Sequence, residues 1–334
     1  MNVLFRADSS KIIGSGHIQR CLNLADNFSS FGIKSFFLCS NFSGNLNYLI
    51  KTKYQKKIIP PKLKFNENYR STSTSVLQAD AKLTIKYAKK IKAKFIVLDS
   101  FLLNHIWQSK IIKLFKLVFI DDLNIKNNCS VYINQHHRNK KISERNFLNK
   151  FTKKLIGPKF LIINKKQIKT KFNSKSKKIF IYMGDVDSKN YTGKILNLIK
   201  DGRFDKHKFI IICGTNYTAK KKLFEDSKQK KNIQIIDKRL KSIWNMFNLK
   251  NDIIICSGGL IGSEAIFLDA KLILVCQNNF QINNLSLKNK ILFKNVSCLS
   301  KQKLFNSLDK LSLLKKYKKK ISGDYVTRKI LENV

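Results

Sequence analysis

Short, uniformly apolar segments recur along the whole chain, and longer amphipathic segments separate them. Strands with one face in water alternate apolar and polar residues, whereas uniformly apolar strands are typical of parallel sheets that helices cover on both faces. The strand candidates are residues 3–5, 35–39, 95–98, 117–120, 131–133, 179–183, 209–213, 233–236, 253–256 and 272–276. Their alternation with helical segments predicts an α/β protein with parallel sheets.

Residues 164–178 are polar, rich in Lys and nearly free of large apolar side chains, which predicts a linker. This linker divides the chain into an N-terminal Rossmann-like domain over residues 1–163 and a C-terminal Rossmann-like domain over residues 179–334. Each half begins with a strand followed by a glycine-containing turn. We expect two parallel-sheet domains that face each other across a cleft.

The charge balance is strongly basic, with 66 Lys and Arg against 21 Asp and Glu and a formal net charge of +45. Such a balance raises nucleic acid as a partner, because counterion release drives binding to phosphates. However, nearly all of the charge is Lys, spread from Lys11 to Lys329, and Arg is scarce. Base readout and bidentate phosphate contacts favour Arg. We therefore predict no nucleic-acid partner, while a general attraction for anionic small molecules stays open.

The seven cysteines are scattered, odd in number and without a CxxC pair, and most lie inside apolar segments. This pattern predicts buried free thiols in a reducing cytosol. The chain shows neither a signal-peptide pattern nor an apolar run of about 18 residues, so we expect a cytoplasmic protein without stable membrane insertion. The basic segment 310–320 fits an amphipathic helix on a membrane, or a terminal helix with a solvated face, which we favour.

The first candidate site is the turn that joins the first strand to the first helix, and it contains Gly14, Gly16 and His17. Ligands of parallel sheets bind at the carboxyl ends of strands, and glycines let the backbone approach them closely. Free amides and the helix dipole favour an anion there. The same dipole disfavours an imidazolium at His17, which keeps the ring able to accept a proton. A plain tight turn with a surface or capping histidine is the alternative.

Charged side chains surround this turn, namely Arg6, Asp8 and Arg20. Charges gathered around one glycine turn are costly unless they serve a ligand or each other. They predict contacts to a polar ligand, and a local Arg–Asp ion pair is the alternative explanation.

The second candidate site, over residues 257–264, again follows an apolar strand and begins a helix. Gly258 and Gly259 are placed to present amides to a diphosphate. Glu264 is placed to accept hydrogen bonds from ribose hydroxyls, unless it merely complements the helix dipole.

The third candidate, over residues 182–187, follows the first strand of the second half and contains Gly184, Asp185 and Asp187. A phosphate contact or a Ca²⁺ or Mg²⁺ site is conceivable there, and a helix cap by Asp187 or Ser188 is favoured. Elsewhere, the sequence contains no HExxH, no Cys/His zinc spacing, no GxxxxGK[ST] and no GxSxG. We therefore expect neither a bound metal nor a cofactor.

These residues resemble the UDP-2,4-diacetamido-2,4,6-trideoxy-β-L-altropyranose hydrolases of pseudaminic acid biosynthesis. Arg6-x-Asp8 and Ile13-Gly14-x-Gly16-His17 with Arg20 look like the N-terminal signature of that family. The segments 98–99, 120–122, 156–158, 183–184 and 257–268 occur in the family's order. The resemblance implies the GT-B architecture, with the nucleotide mainly on the C-terminal domain.

The resemblance also implies roles for individual residues. The family's catalytic histidine corresponds to His17, and its UDP-binding glutamate corresponds to Glu264. Its later Asn-Gln pair falls on Phe280-Gln281, a departure at Phe280 unless a shift brings Asn279 into use. We include Asp99, Asn279 and Gln281 among the substrate-binding residues. The chain departs from the family at Asp185-Val186, where a glycine and a Thr or Ser are usual, and at Ser100, where His is frequent.

Residues and resemblance together predict hydrolysis of a UDP-activated diacetamido-trideoxy sugar. Water attacks the anomeric carbon with His17 as general base, and UDP leaves, without metal or cofactor. A GT-B glycosyltransferase that uses a UDP-amino sugar is one alternative, and a non-catalytic nucleotide-sugar or polyanion binder is the other. The oligomeric state is not readable from the sequence.

Overall fold

The computed structural model describes residues 1–50, 53–59, 72–135, 143–163, 177–238, 240, 242–277, 281, 291–313 and 324–334. The chain forms two compact units, the first containing Met1–Asn164 with Ser322–Val334 and the second containing Lys165–Ile321. The predicted linker lies outside the described residues except for its last two positions, 177 and 178.

The strands and helices follow one another along the chain as the alternation of the sequence predicts. The strands are β1 (Asn2–Ala7), β2 (Lys34–Cys39), β3 (Gln55–Ile58), β4 (Ala93–Asp99), β5 (Lys116–Ile120), β6 (Val131–Asn134), β7 (Lys153–Ile156), β8 (Lys178–Tyr182), β9 (Lys208–Ile212), β10 (Ile233–Ile236), β11 (Ile253–Cys256), β12 (Lys271–Val275) and β13 (Ile291–Phe293). The α-helices are α1 (Gly16–Ser29), α2 (Thr74–Lys90), α3 (His105–Ile111), α4 (Tyr191–Ile199), α5 (Lys220–Ser227), α6 (Leu260–Phe267), α7 (Lys301–Leu313) and α8 (Tyr325–Leu331).

The first unit is built on a seven-stranded parallel sheet in the order β3-β2-β1-β4-β5-β6-β7. Its central strand β1 buries side chains on both faces. Val3 and Phe5 pack on one face in a core that includes Ile18 of α1, whereas Leu4 packs on the other face with Leu77 of α2. Two covered faces explain why the central strands are uniformly apolar.

The second unit is built on a six-stranded parallel sheet in the order β10-β9-β8-β11-β12-β13. Its strand β8 follows the same rule, because Ile179 and Ile181 point into one core and Phe180 into the other. Both units therefore present the carboxyl ends of their parallel strands, with the turns that follow them, at one edge of each sheet.

The last helix corrects the predicted domain boundary. Residues 179–334 were assigned to the second domain, but α8 belongs to the first unit. Val326 and Ile330 are buried in the core of that unit, and the Tyr325 ring stacks on Phe160 with 5.5 Å between centroids. The physical reason is an apolar stripe on α8 that finds its partner surface far away in sequence.

The structure also contains edge strands that the sequence pattern did not predict, namely β3, β7 and β13. The side chains of β3 and β7 are largely exposed or half-buried, and Lys and Gln interrupt the apolar run that marks the central strands. Strand β13 is apolar, but it has only three residues and all three are half-buried. Strands were recognised in the sequence by the apolar runs that burial on both faces requires. An edge strand is not covered in this way and does not need such a run.

All seven cysteines are free, and all but Cys298 are buried, as predicted. Within the described residues, no helix is long and apolar enough to cross a membrane. The predicted cytoplasmic location stays a prediction. Of the basic segment 310–320, residues 314–320 lie outside the described part, and the preceding residues complete α7.

Candidate active site

The turn between β1 and α1 is organised by its own residues. Ser10 Oγ accepts hydrogen bonds from the amides of Ile12 and Ile13, at 3.0 and 2.9 Å. Gly14 adopts a φ of 78°, a conformation that favours glycine. A Cβ added at Gly16 would meet no atom within 4 Å, so packing does not require a glycine there. The close approach of a ligand at Gly14 and Gly16 stays a prediction.

His17 forms a short hydrogen bond with Asp99, which ends β4. The distance from His17 Nδ1 to Asp99 Oδ1 is 2.5 Å, and the two side chains are 8% and 0% exposed. An ionised carboxylate only accepts hydrogen bonds, so Nδ1 donates and the remaining nitrogen, Nε2, carries the lone pair. Among the described residues, none forms a hydrogen bond with Nε2. The edge of the ring packs against Phe101, with centroids 4.6 Å apart.

Asp99 is held in its ionised form. Burial works against ionisation, but the charges and hydrogen bonds of Arg20 and His17 outweigh it and lower the pKa of Asp99 below its ordinary value. Both Asp99 oxygens accept from these two side chains. The structure pairs Asp99 with His17, and its predicted contact with substrate stays a prediction.

Arg20 connects Asp99 to a second carboxylate. Its Nε and Nη2 donate to Asp99 at 2.7 Å each. Its Nη1 donates to both oxygens of Asp122, at 2.9 and 2.7 Å. Arg20 is therefore buried between two acids, and contact with a ligand is not needed to explain its burial. Its predicted role in substrate binding stays a prediction.

Arg6 and Asp8 form the local ion pair that the sequence left open, with 2.7 Å between Arg6 Nη1 and Asp8 Oδ1. Arg6 also donates to Asp80 on α2, with 3.0 Å from Nη2 to Oδ2. Asp80 in turn accepts from the indole Nε1 of Trp107 at 2.7 Å. The second oxygen of Asp8, Oδ2, is buried and has no hydrogen-bond partner among the described residues. The predicted contact of Arg6 and Asp8 with substrate stays a prediction.

Asp80, Trp107 and Asp122 belong to these networks but were not predicted as site residues. Asp80 lies between Leu77 and Ala81 on the apolar stripe of α2 and is fully buried. A carboxylate inside an apolar helical stripe was the available signal, because a buried charge needs a partner. Its partner Arg6 is 74 residues away in the chain, so the pairing could not be read from spacing.

Asp121 shapes the turn that carries Asp122. Its carboxylate accepts from the amides of Leu123, Asn124 and Ile125 at 2.7, 3.1 and 3.0 Å, and from the Tyr132 hydroxyl at 3.0 Å. Burial raises the pKa of Asp121 to about 6, although these donors act in the opposite direction. Asp121 thus holds the conformation of this loop.

The second unit gathers the turns that follow β8, β11 and β12. Gln281 Oε1 accepts from the amides of Gly258 and Gln277 at 3.1 and 2.8 Å. The Gln277 side chain donates from Nε2 to the Met183 carbonyl at 2.7 Å. A Cβ at Gly184 would lie 3.7 Å from Ser257 Oγ. The predicted residues Gly184, Gly258 and Gln281 therefore lie together, whereas Asn279 lies outside the described residues.

The helix α6 begins at these turns, directly after Gly259. Gly259 is its N-cap, and no side chain caps it. The first amides of a helix have no intrahelical acceptor, so they are donors for an anion. One turn further, a Cβ at Gly262 would lie 2.7 Å from the Ser257 carbonyl, so the helix start and its turn are in direct backbone contact. A glycine is needed at 262 for this approach.

Glu264 is half-buried on α6, and its Oε2 accepts from the indole Nε1 of Trp244 at 2.9 Å. Burial raises the pKa of Glu264 to about 7, although the bond from Trp244 acts against the rise. The carboxyl group is therefore poised between its neutral and ionised forms near neutral pH. Its predicted contact with ribose stays a prediction.

The two aspartates of the turn after β8 accept hydrogen bonds from neighbouring residues of the chain. Asp187 accepts from the amides of Tyr191 and Thr192 at 2.9 and 2.8 Å, so it caps the start of α4, as favoured from the sequence. Asp185 accepts from the Thr215 amide and the Asn216 side chain at 3.0 and 2.9 Å. The amides at the start of α4 are thus satisfied by the chain itself. Within the described residues, no group of three His, Cys, Asp or Glu side chains is placed to hold a metal ion.

No protein-family model matches the chain. It is 26% identical over 298 residues to an uncharacterized protein of Methanocaldococcus jannaschii, a match that covers 84% of this chain and 57% of that protein. The chain thus spans little more than half the length of this relative. It is also 26% identical over 283 residues to the UDP-2,4-diacetamido-2,4,6-trideoxy-β-L-altropyranose hydrolase of Campylobacter jejuni, covering 83% of this chain and 92% of that one. The resemblance to the altropyranose hydrolases is confirmed.

Solved structures share the fold at low sequence identity. MurG of Acinetobacter baumannii matches with a TM-score of 0.60 and 12% identity, over 94% of this chain and 92% of that one. The UDP-GlcNAc 2-epimerase of Methanocaldococcus jannaschii, solved with UDP-GlcNAc and UDP, matches with a TM-score of 0.59 and 15% identity, over 99% and 100% of the two chains. Together with the two parallel sheets, these likenesses confirm the predicted two-domain, Rossmann-like GT-B fold. The expected cleft stays a prediction.

Proposed function

We propose that this protein hydrolyses a UDP-activated diacetamido-trideoxy sugar to UDP and the free sugar. The observation that carries the proposal is the hydrogen bond between His17 Nδ1 and the buried carboxylate of Asp99. It fixes the imidazole tautomer whose Nε2 accepts a proton. The sequence similarity to an altropyranose hydrolase over 83% of the chain supports the substrate class.

In the proposed reaction, Nε2 of His17 takes a proton from water while the water oxygen attacks the anomeric carbon. The bond from that carbon to the diphosphate oxygen breaks, and UDP carries the electron pair away. A single displacement of this kind inverts the anomeric centre. A general base of this type contributes about 10²–10⁴-fold to the rate.

The start of α6 in the second unit supports the proposal. The uncapped start of α6 at Gly259 offers amide donors to the diphosphate, and these donors stabilise the charge that develops as UDP leaves. Gln281 holds the Gly258 turn in place. Ionised Glu264 has Oε1 available for ribose hydroxyls while Trp244 holds Oε2.

The direct test is UDP release from the UDP-activated sugar by the purified protein and by His17→Gln. We expect the variant to lose about 10²–10⁴-fold in kcat. His105→Gln is a matched control, because His105 lies at the start of α3 and has no bond to the Asp99 network. Unimpaired turnover by the His17 variant overturns the assignment.

The same assay separates the proposed hydrolase from its alternatives. UDP that is released only after a sugar acceptor is added identifies a glycosyltransferase. Binding of UDP without turnover of any UDP sugar identifies a nucleotide-sugar binder. Salt-sensitive binding to nucleic acid with no effect of UDP identifies a polyanion binder.

A further inference from the structure

Arg20 shares an oxygen atom of Asp99 with the proposed general base. Its Nη2 lies 2.7 Å from Asp99 Oδ1, and His17 Nδ1 lies 2.5 Å from the same atom. Its Nη1 binds both oxygens of Asp122. The order of charges is therefore carboxylate, guanidinium, carboxylate and imidazole, and the first three carry one net negative charge.

This arrangement bears on the protonation of His17. A buried aspartate alone beside an imidazole favours the imidazolium, which cannot act as a base. A guanidinium that occupies both oxygens of the same aspartate reduces the negative potential at the ring, and it also opposes a second positive charge nearby. Asp122 acts in the other direction, since it neutralises part of the Arg20 charge.

We propose that Arg20 and Asp122 are positioning residues that tune the electrostatic potential at the His17 ring, Arg20 by opposing a positive charge there and Asp122 by limiting that effect. This inference rests on the proposed function in one respect, namely that the neutral His17 ring acts as the general base. The charge coupling itself follows from the contacts.

We call Arg20 together with Asp122 the clamp. Its geometry is that of a fixed, largely buried interaction and not that of a mobile surface ion pair. Arg20 is almost fully buried, and four of its hydrogen bonds are 2.9 Å or shorter. The loop that carries Asp122 is held by the carboxylate of Asp121, which accepts three backbone amides and the Tyr132 hydroxyl. Bidentate Arg–carboxylate hydrogen bonds of this kind are strong and fix the geometry of both partners.

Other ionisable groups near His17 are already satisfied or neutral. Cys21 on α1 and Cys39 on β2 are buried thiols, and burial raises the pKa of both. Arg6 on β1 is engaged with Asp8 and with Asp80 of α2. On α8, which packs on α1, Arg328 lies over the Phe31 ring and Lys329 pairs with Glu332. The clamp is thus the charged group that contacts the His17–Asp99 pair.

Two variants test the proposal because they shift the protonation of His17 in opposite directions. Arg20→Met removes the cation, so the ring takes up its proton at a pH about one unit higher than in the unaltered protein. Asp122→Asn removes a carboxylate and leaves the Arg20 charge unshared, so the midpoint moves lower by a similar amount. A merely structural role predicts loss of activity without opposite shifts.

The midpoint is measured in two ways, by NMR titration of the His17 ring nitrogens without substrate and by the acidic limb of kcat/KM against pH. Asp26→Asn serves as the control, because Asp26 lies on the same helix but pairs with Lys53. We expect no shift for this variant. Equal midpoints in all proteins, or shifts of the same sign for the Arg20 and Asp122 variants, overturn the proposal.

The two proposals fail in distinguishable ways. The NMR titration needs no turnover, so opposite shifts without UDP release support the clamp and refute the hydrolase. Should Arg20→Met not fold, Asp122→Asn still decides, because the Asp122 side chain is 21% exposed and the substitution is nearly isosteric. An unchanged or raised midpoint in Asp122→Asn then overturns the clamp.

Discussion

His17 Nδ1 lies 2.5 Å from Asp99 Oδ1, although 82 residues separate them in the chain. The contact follows from the sheet, since β1 and β4 are neighbours and Ala7 is in register with Asp99. The helix that begins after β1 therefore starts beside the end of β4. A parallel sheet thus brings a histidine and a carboxylate from distant segments to one edge.

Asp99→Asn tests whether this carboxylate orients the base. An amide nitrogen can donate to Nδ1 and so favours the wrong tautomer, which leaves Nε2 protonated and unable to accept. We expect kcat to fall by about 10²–10⁴-fold while the Kd for UDP is unchanged. Steady-state kinetics with a calorimetric UDP titration measures both. Near-normal kcat in a folded variant contradicts the role of Asp99.

Glu264 is expected to make nucleoside binding pH-dependent. Its pKa of about 7 means that the carboxyl is largely neutral at pH 6 and ionised at pH 8. Hydrogen bonds to a charged acceptor are stronger than those to a neutral one by about 1 kcal/mol, so affinity rises about fivefold over this interval. Uridine is the appropriate ligand, because it lacks the phosphate that also titrates near pH 6.

Glu264→Gln supplies the comparison for that titration. It keeps an acceptor in place without a titrating proton, so we expect its uridine affinity to be flat between pH 6 and 8. Equal pH dependence in the variant and the unaltered protein would show that another group is responsible.

Gly214 is expected to be indispensable for the second unit. A Cβ at this position would lie 2.1 Å from the Asp185 carbonyl and 2.4 Å from the Gly184 carbonyl, both of them backbone atoms. Gly214→Ala therefore lowers the free energy of unfolding by about 1–3 kcal/mol or more, seen as a lower Tm. Gly202→Ala is the control, because its nearest atom would be Asp205 Oδ2 at 3.6 Å. Equal melting of both variants contradicts the packing argument.

The C-terminal helix is expected to stabilise the first unit. Ile330 is fully buried in the core of that unit, so Ile330→Ala costs about 2–5 kcal/mol. Leu313→Ala on α7 removes a side chain that is 83% exposed, and we expect a change within about 0.5 kcal/mol. Hydrogen exchange shows which unit the Ile330 variant destabilises. Faster exchange in β8–β13 with unchanged exchange in β1–β7 would refute the assignment of α8 to the first unit.

The central strands and the turns that follow them were predictable. A strand that is buried on both faces needs apolar residues at successive positions, so it is recognisable as an apolar run in the sequence. The same physics made the edge strands β3 and β7 hard to predict, since they carry Lys and Gln at exposed positions. Strand β13 is apolar, but it is only three residues long. The glycine turns were predictable too, because few other residues permit such backbone conformations.

What the sequence determined by itself was the parallel α/β class and the identity of His17 and Glu264 as candidates. Tertiary structure decided which charges meet. It pairs His17 with Asp99 and Arg20 with Asp122, it places Asp80 against Arg6, and it assigns α8 to the first unit. Strand order makes these neighbours, and the order of strands in a sheet is not contained in the spacing of residues along a chain.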